Sequence, residues 1–404
     1  MVQHPVGQGG LFSGALNAGS RPVRWVYDCG SNQCDALARE IVGVAESGDV
    51  DLLFLSHLDS DHVRGVDQLL SSTKVREVIL PYLNETMLLI TIARDSERGA
   101  LSGAFVEAAG DLAGWFGDRG VETVTFVNGG DGDEGGGDGP ILPGEPGGDR
   151  DGDVRAKWSI QPVDIGSRLV ASENVSGETS ERRARQQQVR PGAAIQMVSP
   201  GALLNWVLIP YVHTPPARLI TAFEAALEAE FGSPLDTKAI VLAAKDHAVR
   251  DRLRGCYDAL WLDHNLISMT LYCGPWKPEQ FDVSIGLVSS HYRGWHGAEP
   301  GGWILTGDAH LDRRRRRQRF LRFYRGHLPL TNIFMAPHHG STHNHSDEVL
   351  GAMPNLRVGF AAAGPNNYGH PHDAVRDAVN AQPMAAFVQV SEALATRLVM
   401  DLAD

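Results

Sequence analysis

The stretch that most constrains this chain is residues 51–66, DLLFLSHLDSDHVRGV. Leu52 to Leu55 form an apolar run suited to a short buried strand, and Val63, Val66, Leu69 and Leu70 follow at helical spacing. Between the two stand His57, Asp59, Asp61 and His62. A strand that ends in such a turn and then opens a helix sets polar side chains at the carboxyl edge of a sheet. Imidazole and carboxylate are the groups a divalent cation takes when it must activate water near neutral pH. The ordinary alternative is a polar loop that happens to hold two His and two Asp. Four such residues within six positions, in the order H-x-D-x-D-H behind an apolar strand, weigh strongly toward a metal site.

Three later segments repeat the theme. Asp308 closes the apolar stretch Trp303 to Thr306, His338 and His339 sit in APHHGSTH, and His370 and His372 sit in YGHPH. Each alone is weak, since an Asp at a strand end is common. Together, and at strand ends, they describe a site. His343, His345 and His372 read as solvated loop residues. Immediately after Asp308 comes DRRRRRQRFLRFYRGH, with eight Arg between Arg313 and Arg325 and no acid among them. The bland reading is a solvated helix whose Phe320, Phe323 and Tyr324 pack inward. The functional reading gives Arg313, Arg314, Arg316 and Arg317 the phosphates of a polyanion to hold without reading its sequence. A clamp on an acidic loop or a protein partner are the other uses.

Strands rich in β-branched residues alternate with amphipathic helices, which points to an α/β layered fold. We expect strands at Val23–Tyr27, 75–80, 239–244, 266–273, 282–288, 302–308, 332–339, 358–364, 385–390 and 396–402. Helices are expected over 33–47, 62–72, much of 84–119, 216–231 and 246–261. At 404 residues, length alone would allow two or three domains. The strand and helix pattern reads instead as a single domain over 1–404, carrying an inserted α/β subdomain at 211–262. Residues 128–157 form an acidic, Gly-rich flexible insertion, and 172–192 a second polar flexible loop. Asp28, closing the second strand, either bonds turn amides or buttresses a metal ligand, and the turn context favours the first.

The net charge of −13 does not argue against a nucleic-acid substrate. Residues 128–153 hold eight acids against the single base Arg150, which accounts for −7 of it. Four Cys without a C-x-x-C pair fit a reduced, cytoplasmic protein without disulfides. No signal-peptide pattern and no apolar run near the roughly 20 residues of a membrane helix is present.

The segments VGQGG (6–10), VYDCGS (26–31), LSHLDSDHVRGV (55–66), NLIS (265–268), WILTGD (303–308), PHHGST (337–342) and PNNYGHP (365–371) resemble a known family. It is the metallo-β-lactamase superfamily, in the branch of the DNA-uptake competence protein ComEC and its stand-alone relatives. That resemblance implies a four-layer αββα sandwich holding two divalent ions, zinc or manganese with magnesium as a third choice. It implies that His57, Asp59 and Asp308 hold the first ion, and that Asp61, His62, Asp308 and His339 hold the second. His339 is preferred to His338 because the family's last ligand commonly sits in a His-Gly pair. His338 and His370 then face the substrate beside Asp61, stabilising phosphate charge or protonating a leaving group. Two departures stand out. Asp59 replaces the family's usual second His, shifting preference from zinc toward manganese or magnesium. No clear His motif between 63 and 307 supplies the other first-site imidazole, for which His213 and His264 are candidates.

The expected activity is therefore that of a phosphodiesterase or nuclease using a hydroxide held between two cations. Its substrate would be a nucleic acid or other phosphodiester. A thioester, lactam or lactone hydrolase on the same fold is the main alternative. A regulatory or binding module with an impaired metal site is another, motivated by the missing His. A protein partner and the oligomeric state are open at this level.

Overall fold

The computed structural model describes residues 1–17, 21–97, 110–129, 139–141, 157–159, 183–199, 202–213, 215–258, 267–288 and 294–403. In chain order its strands are β1 (Val2–Gln3), β2 (Gly9–Asn17), β3 (Pro22–Ser31), β4 (Val50–Phe54), β5 (Val75–Pro81), β6 (Thr123–Val127), β7 (Lys157–Ser159), β8 (Arg185–Val189) and β9 (Ile195–Ser199). There follow β10 (Ala202–His213), β11 (Ser268–Pro275), β12 (Phe281–Leu287), β13 (Trp295–Glu299), β14 (Gly302–Leu305), β15 (Thr331–Met335), β16 (Val358–Ala362), β17 (Ala386–Val390) and β18 (Leu398–Ala403). The α-helices are α1 (Cys34–Glu46), α2 (Ser60–Val63), α3 (Val66–Ser72), α4 (Glu85–Glu97), α5 (Leu112–Asp118), α6 (Ala217–Phe231), α7 (Thr237–Ala243), α8 (His247–Asp258), α9 (Arg314–Phe323), α10 (Asp347–Gly351) and α11 (Asp373–Asn380).

These strands form two sheets, ordered β13-β12-β18-β1-β2-β3-β4-β5-β6-β8 and β17-β16-β15-β14-β11-β10-β9-β7. Each has a parallel half. In the first, β3, β4, β5, β6 and β8 run parallel, and in the second β14, β15, β16 and β17 do. Parallel neighbours need crossover connections, which helices such as α1, α3, α9 and α11 supply. A strand covered on both faces reads as an unbroken apolar run, and β4 (VDLLF) is buried at every position.

The sheets share a core. Trp303 of β14 packs between Phe12 of β2 at 4.9 Å and Phe360 of β16 at 5.8 Å, and its Nε1 donates to Met400 Sδ at 3.1 Å. Tyr27 of the first sheet donates its hydroxyl to the Met269 carbonyl of the second at 2.7 Å. On the outer side of the second sheet, Phe320, Phe323 and Tyr324 pack with Ile209, Tyr211 and Tyr272, and the Tyr324 hydroxyl donates to Ile209 O at 2.9 Å. The aromatic stripe of the Arg-rich segment thus faces inward, as its spacing predicts.

Several expectations need correction. Residues 239–244 are not a strand but part of α7, whose first turn is capped by Asp236 Oδ1 accepting from Ala239 N at 2.9 Å. The cap outweighs the β-branched Ile240-Val241 pair, and Ala217–Asp258 contains three helices rather than an α/β unit. The helix expected over 62–72 is broken near Gly65, whose N–H bonds Cys29 O at 2.8 Å. Within the expected polar loop 172–192, residues 185–189 form β8, paired parallel to β6. The middle side chain of this strand is satisfied inside the sheet: Gln187 Nε2 donates to Thr125 Oγ1 at 2.7 Å and Glu77 Oε1 at 3.2 Å. Most of 128–157, all of 172–182, and His264 lie outside the described residues.

Away from the ligand-bearing edge, a buried triad ties the sheets. Glu299, ending β13, accepts from Asn332 Nδ2 of β15 at 2.6 Å and from the Arg357 guanidinium Nε at 3.0 Å. Glu299→Ala leaves a buried guanidinium without its countercharge, and we expect it to lower unfolding free energy by about 3–5 kcal/mol. A urea midpoint shift at unchanged m-value reads this. A loss below about 1 kcal/mol would show that the triad does not hold the sheets together.

Candidate metal centre

The carboxyl ends of β4, β14 and β15 converge. The turn after β4 carries His57 and Asp59 and leads into α2, which carries Asp61 and His62. This single helical turn lies hard against β2 and β3. A Cβ on Gly30 would stand 2.5 Å from His62 N, and one on Gly10 would stand 2.8 Å from Asp28 Cβ. Only glycine tolerates that approach, which gives the VGQGG and VYDCGS segments their physical reason.

From the other sheet, Asp308 reaches the ring edges of both imidazoles of the first. Its Oδ2 lies 3.4 Å from His57 Nε2 and its Oδ1 lies 3.5 Å from His62 Nε2. Asp59 Oδ2 is 3.3 Å from His57 Nε2, His339 Nε2 is 3.3 Å from Asp61 Oδ2, and His338 Nε2 is 3.8 Å from Asp308 Oδ2. His57, His62 and Asp308 offer ligand atoms within 4.8 Å of one another, as do Asp61, His62 and His339. Two buried groups that can hold a metal ion therefore share His62. Asp28, His338 and His339 adopt positive φ of 57°, 50° and 57°, backbone strain that clusters where side chains must be aimed.

The opposite ring nitrogens fix how these imidazoles point. His339 Nδ1 lies 2.8 Å from the Ala362 carbonyl, which can only accept, so that nitrogen carries hydrogen. Asn344 donates its Nδ2 to Asp308 O at 2.9 Å, leaving its Oδ1 to accept from His338 Nδ1 at 2.9 Å. His62 Nδ1 donates to Asp28 Oδ2 at 2.8 Å. Ser56 donates its hydroxyl to Asp28 at 2.8 Å and so accepts from His57 Nδ1 at 2.9 Å. With Nδ1 committed on all four rings, each Nε2 is turned toward the carboxylates. Among the described residues, the buried Nε2 atoms of His57, His62 and His339 find no hydrogen-bond partner of proper geometry. A backed imidazole with an inward lone pair is the form a metal ligand takes.

The electrostatics agree. Burial and the neighbouring His62 depress the His57 imidazole, but Asp59 and Asp308 outweigh them and raise its pKa. Burial likewise opposes protonation of His62, yet Asp28 and Asp308 push its pKa well up. Burial opposes ionisation of Asp61 and Asp308, but His339 and His62 hold the Asp61 carboxyl low, and His338, His57 and His62 hold Asp308 lower than the usual range. Asp28, Asp59, Asp61 and Asp308 are 1%, 2%, 9% and 1% exposed. Carboxylates this deep need countercharge, and without a cation the histidine protons supply it.

Every metal ligand expected from sequence, His57, Asp59, Asp61, His62, Asp308 and His339, lies in this cluster, and His338 joins it rather than standing apart. His370 lies at its rim, 5.4 Å from the His338 ring. His213 does not contribute: it shares the outer face of the second sheet with Phe320, ring centroids 6.4 Å apart. The Arg expectations divide. Arg313 and Arg314 are exposed, whereas Arg316 is 9% exposed and Arg317 pairs with Glu348 at 2.6 Å. Asp28 fills both roles weighed for it, accepting from the turn amide of Ser56 at 2.7 Å and backing His62, whereas Ser56 and Asn344 carried no signal of their own. Asn344 lies within the His-rich run 338–345, a signal that could have marked it.

Asp28→Asn removes the charged acceptor behind His62 and should weaken manganese binding about 10–100-fold by calorimetric titration. Unchanged affinity would remove Asp28 from the site. Proton linkage gives a second expectation. The raised histidines stabilise the metal-free fold below their ordinary value of 6.5, and that stability is lost as pH climbs through their raised values. The depressed carboxylates stabilise it above their ordinary value of 3.8, a contribution lost only in strong acid. A cation displaces the histidine protons, so the manganese-induced rise in Tm should grow from about pH 6 to about pH 8. A larger rise at the lower pH would contradict this.

No known family model matches the chain, and no curated protein sequence matches it significantly.

Proposed function

We propose that this chain is a metal-dependent phosphodiesterase on a metallo-β-lactamase-like αββα sandwich, holding two divalent ions. The observation that carries the reading is the set of four imidazoles, His57, His62, His338 and His339, each backed at Nδ1 and turned by Nε2 toward Asp59, Asp61 and Asp308. His57, Asp59 and Asp308 suit the first ion, and Asp61, His62, Asp308 and His339 the second. Divalent ions there would supply Lewis acidity, acidifying water and neutralising phosphate charge. The hard oxygen of Asp59 favours manganese or magnesium over zinc.

The chain's own groups do the rest. Asp308 turns one carboxylate oxygen to each imidazole of the first sheet. Asp28 and Ser56 hold His62 and His57 in one tautomer, so neither ring must reorient during turnover. His370 is depressed to about 3 by burial and then by His338, His339 and His372. It is neutral at neutral pH and serves as an N–H donor to a phosphate oxygen rather than as an acid. Arg313 and Arg314, exposed at the start of α9, suit the flanking phosphates of a longer substrate. Arg316 and Arg317 serve the helix itself.

A second reading has one observation in its favour. The cleft beside His57 and Asp59 is walled by Leu58, Leu83, Ile90 and Ile267, which suits an acyl group. A thioester or lactone hydrolase would use the same centre.

Manganese-loaded protein should hydrolyse bis-p-nitrophenyl phosphate, with Asp61→Ala and Asp308→Ala each losing about a hundred-fold or more. Equal turnover in either variant would refute the centre. Faster turnover of thioesters than of diesters in a substrate panel would replace the first reading with the second.

A further inference from the structure

A second cavity, of about 120 Å³, lies beside the metal centre between the ends of β5, β6 and β8 and helix α7. Leu83 lines both this cavity and the cleft that holds His57 and Asp59. The two spaces therefore adjoin at this side chain.

The lining has a specific chemistry. Tyr82 and Phe126 meet edge to face, ring centroids 6.3 Å apart, and offer aromatic wall. Gln186 and Gln188 stand two apart on β8 and so share a face. Gln188 pairs in register with Phe126, and Gln186 with Val124. Gln188 is 6% exposed, and with Gln186 it lines the cavity. Each side-chain amide offers both a donor and an acceptor to an occupant. An acyl chain would use neither. A flat heteroaromatic ring with a donor and acceptor edge would stack on the aromatic wall and pair with the amides.

We infer that this cavity takes the nucleobase of a nucleotide substrate whose phosphodiester sits at the metal centre. The phosphate end of this inference rests on the phosphodiesterase reading, and the base end stands on the cavity alone. Nucleosides without phosphate isolate the base end.

Calorimetric titration of the full chain with adenosine, guanosine, cytidine and uridine, without metal, is the test, with ribose as control. At least one nucleoside should bind saturably and ribose should not. Gln188→Leu, which removes the amide at nearly equal volume, should weaken that binding about ten-fold or more. Leu242→Trp, at a rim position 41% exposed, should do the same by filling the mouth. No nucleoside binding in the wild type, or binding indifferent to both changes, overturns the inference. Diester turnover without nucleoside binding would remove the cavity's role and leave the phosphodiesterase. Nucleoside binding without diester turnover would do the reverse.

Discussion

The contact on which the rest of this structure depends is the one between Asp28 and His62. A carboxylate at the end of β3 holds an imidazole from α2 at 2.8 Å, and the same carboxylate takes the main-chain N–H of Ser56 at 2.7 Å and its hydroxyl at 2.8 Å. Ser56 in turn orients His57. One buried charge thus sets the direction of two imidazoles and the path of the chain between them. Its position requires the close packing that Gly10 and Gly30 permit, so backbone geometry, hydrogen bonding and ligand presentation are a single problem with a single solution.

The second sheet solves the matching problem with neutral acceptors. Ala362 O backs His339 and Asn344 backs His338, while Asn344 also donates its Nδ2 to the carbonyl of Asp308. The left-handed backbone at His338 and His339 turns two consecutive side chains toward the same centre, which an extended strand would send to opposite faces. Such strain is tolerated because Asn344 is fully buried and bonded on both sides.

Much of this was legible in the sequence for a plain reason. An apolar run that stops at a ligand-rich turn encodes a strand end and a site in adjacent residues, so β4 with His57 to His62, β14 with Asp308 and β15 with His338-His339 announce themselves. What was not legible depends on distance or on competition. Asp28 reads as a turn residue because its partner, His62, is remote in sequence. The Gln-rich β8 reads as loop because the partners of its central Gln187, Glu77 and Thr125, lie on other strands. Residues 239–244 carry a strand-like composition, and only the Asp236 cap signals the helix. Arg316 looks like a phosphate contact until the inward turn of Phe320 and Phe323 places it at the buried edge of α9.

The centre is split across the interface of the two layers. His57, Asp59, Asp61 and His62 follow a strand of one sheet, and Asp308, His338 and His339 follow strands of the other. An ion gripped from both sides would act as a rivet, and its affinity would measure how firmly the halves adhere. Chelation and loosening of the sandwich would then be the same event, seen once from the ligand and once from the polypeptide.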